Sequence, residues 1–256
     1  MIKFYINNQG TVTIHTQALK RFWAHTYAYY TFYDYLQNNG WKYNVNFGEN
    51  EQTLRASKLL KWAVDSDKNP YNPNKYPDDT LRPFEIREDS SLSVCARDIT
   101  IFGLGYILLH EIAHIELKHI FNADKPTSIQ QEYEADKWAA HFVMDFSKDN
   151  TIQSYPNDHS AHNAVGVKRL LALVASNYWL IKDDCYYGVS KNKTHPPTFE
   201  RLNVIIEEFV LDDNHPLWAM SELILSMHLH PYIMQDQKYL THKERCQYYM
   251  NFISKI

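Results

Sequence analysis

Residues 99–109, ITIFGLGYILL, carry no charge and run directly into His110-Glu111-Ile112-Ala113-His114. The apolar run is about half the length that a membrane span requires, so a buried helix is the expected form. A helix sets residues four apart about 40° apart in azimuth and one turn along the axis. His110 and His114 then share one face, and both imidazoles can reach a single zinc ion at about 2.0–2.1 Å. Glu111, one residue on, points at the open side of such a metal rather than at the metal itself. With His and Glu each at about 0.05 of the chain, three fixed matches arise by chance about 0.03 times. The spacing is therefore suggestive, and it needs a third ligand from elsewhere.

Composition supports a helical setting for this segment. The 256 residues contain 7 glycines, where average usage would give about 18. Tyr, Phe and Trp number 19, 12 and 6, so the core is bulky and turns are scarce. A glycine-turned barrel or sandwich is disfavoured. A chain of this size buries roughly 73% of its unfolded surface, enough for a full core. Lys plus Arg is 26 and Asp plus Glu is 30, for a net charge of −4, which argues against a nucleic-acid partner held by phosphate neutralisation. Cys95, Cys185 and Cys246 are widely spaced and form no CxxC pair, so neither a disulfide framework nor a cysteine zinc site is expected. MIKFYINNQG does not read as a signal peptide. The expectation is a cytoplasmic chain with no membrane span.

Along the chain, IKFYI (2–6) and TVTIH (11–15) alternate around Asn7-Asn8-Gln9-Gly10 and predict a hairpin. An aromatic-faced helix is expected over 17–37, stopping near Gly40, and a second over 51–64. The proline-rich stretch 65–83 predicts an irregular loop, and FEIRE (84–88) a short strand. Helical patterns cover 92–120, 128–148, 160–182, 197–210, 217–229 and 241–254. The expected class is α+β, mainly α: a single domain over 1–256 with a small hairpin and a helical core. Gly103 and Gly105 stand inside the motif helix, where each costs about 1 kcal/mol against Ala, so a close backbone approach is expected there.

Two further elements bear on the metal. Glu132-Tyr133-Glu134-Ala135-Asp136 lies 18 residues beyond His114 on a second helical pattern. Glu132 and Asp136 share a face: one can bind zinc while the other accepts a hydrogen bond from a ligand histidine. Glu134 points elsewhere and is the fallback ligand. Thr194-His195-Pro196-Pro197-Thr198-Phe199-Glu200-Arg201 fixes a histidine in a stiff turn ahead of a helix. His195 and Arg201 can be read as hydrogen-bond donors to the oxyanion of a tetrahedral intermediate. His119, five residues past His114, reads as a last-turn histidine complementing the helix dipole.

HEIAHIELKH, EYEAD and THPPTFER, in that order, resemble gluzincin-type zinc metallopeptidases, and the ImmA-like peptidases share the first two elements. The resemblance is closest to the Lit-type phage-exclusion peptidase family. It extends to ALKRFWAHTYAYY, SKLLKWA, CARDITIFGLGYILLHEIAHIELKH, SIQQEYEADKWA and THPPTFERL, over roughly residues 10–210. It implies a zincin-like fold and a zinc (Zn2+) endopeptidase that cleaves translation elongation factor Tu during phage infection. Such a protease must be silent in healthy cells, so either the substrate changes shape or a phage peptide creates the cleavable complex, and the motifs encode neither. Carried over by position, His110, His114 and Glu132 would bind zinc, Glu111 would be the base and Asp136 would support a ligand histidine. His195 and Arg201 would sit over the site. An extended substrate is expected along a sheet edge. The alternatives are an ImmA-like peptidase that cuts the repressor of a mobile element, and a non-catalytic zinc-bound regulatory module. The intact Glu111 speaks against the last.

Overall fold

The computed structural model describes residues 5–6, 12–13, 15–41, 47–48, 50–68, 75–80, 82–83, 91–119, 129–145, 159–187, 196–209, 211–213, 215–229 and 241–255. These residues are almost entirely helical. β1 (Tyr5–Ile6) and β2 (Val12–Thr13) pair antiparallel, with Tyr5 opposite Thr13 and Ile6 opposite Val12. The hairpin thus closes where the alternation places it, but two residues per strand do not make a layer against which helices could pack. The expected α+β class is therefore wrong: the fold is helical. FEIRE lies outside the described residues.

The chain divides into two compact units, 1–101 and 102–256. In the first, α1 (Thr16–Asn39) packs on α2 (Glu51–Lys68). Phe22, Trp23, Tyr29 and Phe32 are fully buried, so the aromatic stripe is core packing. Arg21 and His25 of α1 both meet Asp67 of α2, at 3.0 and 2.9 Å, which pairs the charges that this core buries. α1 ends at Gly40, whose φ of 74° lies in the left-handed region that a side chain disfavours.

α3 (Ser91–Glu116) contains the motif, and its last turns belong to the second unit. By length and composition alone α3 could cross a membrane. Its polar residues nevertheless bond inside the protein, as described below. The second unit continues with α4 (Ile129–Met144), α5 (His159–Tyr187), α6 (Thr198–Glu207), α7 (Pro216–Leu229) and α8 (His242–Ile253). α4 packs on α5 and α6, α5 on α6 and α7, and α7 on α8. Leu171, Leu173, Tyr178 and Trp179 of α5 are buried at the centre of this unit. α8 begins with a capping box: the Thr241 hydroxyl accepts from the Glu244 N–H, and the Glu244 carboxylate accepts from the Thr241 N–H.

Two expectations change at this level. A side chain added at Gly105 would meet nothing within 4 Å, so no neighbour demands glycine there. Among the described residues of 102–256 there is no strand, so the expected sheet edge for a substrate is not found among them.

Candidate metal centre and its supports

His110 and His114 face the same way because α3 is regular through both. His110 Nε2 lies 3.2 Å from His114 Nε2. From α4, Glu132 brings Oε2 to 3.4 Å from His110 Nε2 and Oε1 to 3.6 Å from His114 Nε2. All three residues are buried, and each offers one ligand atom within 4.8 Å of the others. Zinc bonds of about 2.0–2.2 Å at the tetrahedral angle hold donor atoms about 3.3–3.6 Å apart. The two imidazole nitrogens and the Glu132 carboxylate form a donor triangle in which a different carboxylate oxygen lies nearest each histidine, and one atom from each residue can converge on a shared ion.

The other side of His110 is built with equal care. Its Nδ1 lies 2.9 Å from Asp136 Oδ1, and Asp136 is wholly buried one turn beyond Glu132 on α4. Arg201 of α6 grips Asp136 with both Nε and Nη2 at 2.7 Å, and its Nη2 lies 3.3 Å from His110 Nδ1. The Tyr106 hydroxyl, one turn before His110, donates to Asp136 Oδ1 at 2.7 Å. A second strut runs parallel: the Tyr133 hydroxyl of α4 donates to Glu200 of α6 at 2.7 Å.

Charge states follow from these contacts. Burial opposes ionisation of Asp136, but the Arg201 charge and hydrogen bonds from Arg201 and His110 override it and hold the carboxyl well below its usual range. Burial disfavours the Arg201 cation, and Asp136 more than restores it. Burial and the neighbouring His110 push the His114 imidazole down to about 4, so it stays neutral near pH 7, as a metal ligand must be. For His110, burial and Arg201 act downward, yet Asp136 and Glu132 raise the net value. Burial pushes the Tyr106 phenol up, as does the Asp136 charge, so it remains a hydrogen-bond donor.

The structure thus brings together His110, His114, Glu132, Asp136 and Arg201. Glu111 is half-buried between the two histidines in sequence. His195 lies outside the described residues. Arg201, read from the sequence as an oxyanion donor, directs two of its nitrogens at Asp136. Glu134 is 47% exposed on its side chain, and its carboxylate meets His119 and Gln130 rather than joining the three converging donors. Tyr106 escaped the sequence reading, although its place one turn before His110 on the same face was available as a signal. His119, read from the sequence as a last-turn histidine, lies three residues past the end of α3 and is buried, with Nδ1 3.1 Å from His114 Nδ1.

Residues 12–221 match the family described as Peptidase U49. Among curated proteins, the chain is similar to the "Cell death peptidase" of Escherichia coli (strain K12). The two are 24% identical over 229 residues, spanning 88% of this chain and 71% of that protein. No solved structure matches.

Proposed function

The chain belongs to the peptidase U49 family, so it is a peptidase, and from that premise we propose that it is a zinc-dependent endopeptidase. The observation that supports the metal reading is the donor triangle: the two Nε2 atoms lie 3.2 Å apart, and each has its own Glu132 oxygen at 3.4 or 3.6 Å, so one buried atom from each residue lies within 4.8 Å of the others. His110 and His114 would hold the ion through Nε2 and Glu132 through its carboxylate. The chemistry a bound zinc supplies is Lewis-acid polarisation of the scissile carbonyl and activation of water.

The remaining work falls to the chain's own groups. Glu111 accepts the proton of the attacking water on a carboxylate oxygen and returns it to the leaving amine nitrogen. Asp136 accepts from His110 Nδ1–H, which fixes the tautomer that leaves Nε2 free to ligate. Arg201 and Tyr106 keep Asp136 ionised and immobile. His195 donates a hydrogen bond to the developing oxyanion.

The substrate reading comes from the Lit-type resemblance and from the relative named as a cell death peptidase. It is a cytosolic host protein, with translation elongation factor Tu as the specific candidate, cleaved to block phage propagation with a phage peptide as trigger. Purified protein incubated with elongation factor Tu, with and without phage extract, should give one new N-terminus by mass spectrometry. The cleavage should disappear with chelator and with Glu111→Gln. An intact elongation factor beside other cleaved proteins would overturn the substrate and leave the peptidase. Elemental analysis should find one zinc per chain in the wild type and in Glu111→Gln, and none in His110→Ala; a zinc-free wild type would overturn the metal.

A further inference from the structure

His119 is buried beside the donor triangle, and the proposed reaction leaves it without a role. Its Nδ1 faces His114 Nδ1 at 3.1 Å, and its Nε2 faces Glu134 Oε2 at 3.2 Å. A helix continued past His114 would carry residue 119 about 140° round from it. Instead α3 stops at Glu116, the Leu117 and Lys118 N–H groups close on the Ala113 and Ile115 carbonyls, and Lys118 takes a φ of 60°. A non-glycine residue in that region costs roughly 1–2 kcal/mol. The chain accepts this strain at the turn that folds His119 back onto His114.

We propose that His119 is a positioning residue for the metal centre, orienting His114 through a hydrogen-bond chain that ends on Glu134. The proton positions follow from the ligand role, and the inference rests on the zinc reading above. To present Nε2 to a cation, neutral His114 must carry its proton on Nδ1. His119 Nδ1 must then accept, which places the His119 proton on Nε2 and directs it to the Glu134 carboxylate. One tautomer pattern satisfies all three groups. Each ligand histidine thereby has its own support: buried Asp136 acts directly on His110, and Glu134 acts on His114 through an intervening imidazole. Glu134 also accepts from Gln130 Nε2 at 3.1 Å, which fixes the outer end of the chain.

The test is zinc affinity of the full chain by chelator competition, together with the thermal midpoint of the metal-free protein. His119→Phe keeps the ring volume and removes both hydrogen bonds, so it should weaken zinc binding about 10–100-fold. His119→Gln, which can accept with its carbonyl and donate with its amide, should recover most of that loss at the same metal-free midpoint. Glu134→Ala should lose less than His119→Phe, because water can reach the half-exposed end of the chain. Equal affinities for wild type and His119→Phe, or a Gln variant as weak as the Phe variant, would overturn the proposal. In the zinc-loaded wild type, long-range 1H–15N spectra should show Nδ1–H on His114 and Nε2–H on His119; the reverse pattern overturns it without any variant. A wild type that binds no zinc removes the metal reading and this inference together. Tight wild-type binding with an unaffected Phe variant removes only the role of His119.

Discussion

Replacing Arg201 with leucine isolates the pair that holds the back of the site. Asp136 has no solvent exposure, and Arg201 makes two 2.7 Å charge-assisted hydrogen bonds to it. Removing one partner of a buried pair costs about 3–5 kcal/mol, because the other charge is left uncompensated. Tyr106 and His110 still donate to Asp136, so the lower end of that range, about 3 kcal/mol, is expected at pH 7. That is a large share of a typical stability of about 5–15 kcal/mol. The sign of the pH dependence also reverses. In the wild type, the depressed Asp136 pKa contributes stability that is present above the unfolded value of about 3.9 and lost as pH falls through the folded value. Without Arg201 the burial effect dominates, the folded pKa rises above the unfolded one, and the Asp136 contribution grows as pH falls. Urea unfolding of metal-free protein at pH 7 and pH 4.5 measures both effects. Arg201→Leu should lose less stability at the lower pH, and adding Asp136→Leu should restore part of it. A loss below about 1 kcal/mol, as for an exposed pair, would mean that Arg201 does not compensate a buried Asp136 charge.

Other outcomes follow from the same geometry. Lys118→Gly should raise the stability of the metal-free protein by about 0.5–1 kcal/mol in denaturant titration, because relief of the positive φ exceeds the entropy cost of glycine. Since burial depresses His114 to about 4, metal-free protein should lose stability as pH falls from about 6.5 toward 4. His110, whose pKa is raised, is protonated in both states below the unfolded value of about 6.5 and adds little slope within that range, so His114→Gln should flatten the melting-point profile. His195→Ala should lower kcat about 10²–10³-fold at unchanged zinc content. A fall in zinc content would make His195 a ligand instead.

The local elements were legible because each has a local cause. The α1 aromatics recur at helical spacing and Gly40 terminates them, and Glu132 with Asp136 at i, i+4 could only face the same way. The α+β expectation fails because strand alternation over IKFYI and TVTIH says nothing about how few residues pair. The helical pattern over 92–120 overruns α3, which ends at Glu116, because the turn at Lys118 uses a lysine where glycine would mark a stop. That same turn concealed His119, whose position is set by one unfavourable φ rather than by helical period. Arg201 was found as a residue but not as a contact: its partner lies 65 positions earlier, and only packing of α6 on α4 brings them together.

The proposed chemistry has this peptidase cutting with a metal held by His110, His114 and Glu132 and with Glu111 as the base. The most direct measurement compares new protein N-termini across bacteria that express wild type or zinc-loaded Glu111→Gln, each infected with phage. N-termini unique to the wild type are expected, with Glu111→Gln indistinguishable from cells lacking the protein. The same N-termini at the same rate from the Gln variant would contradict that chemistry.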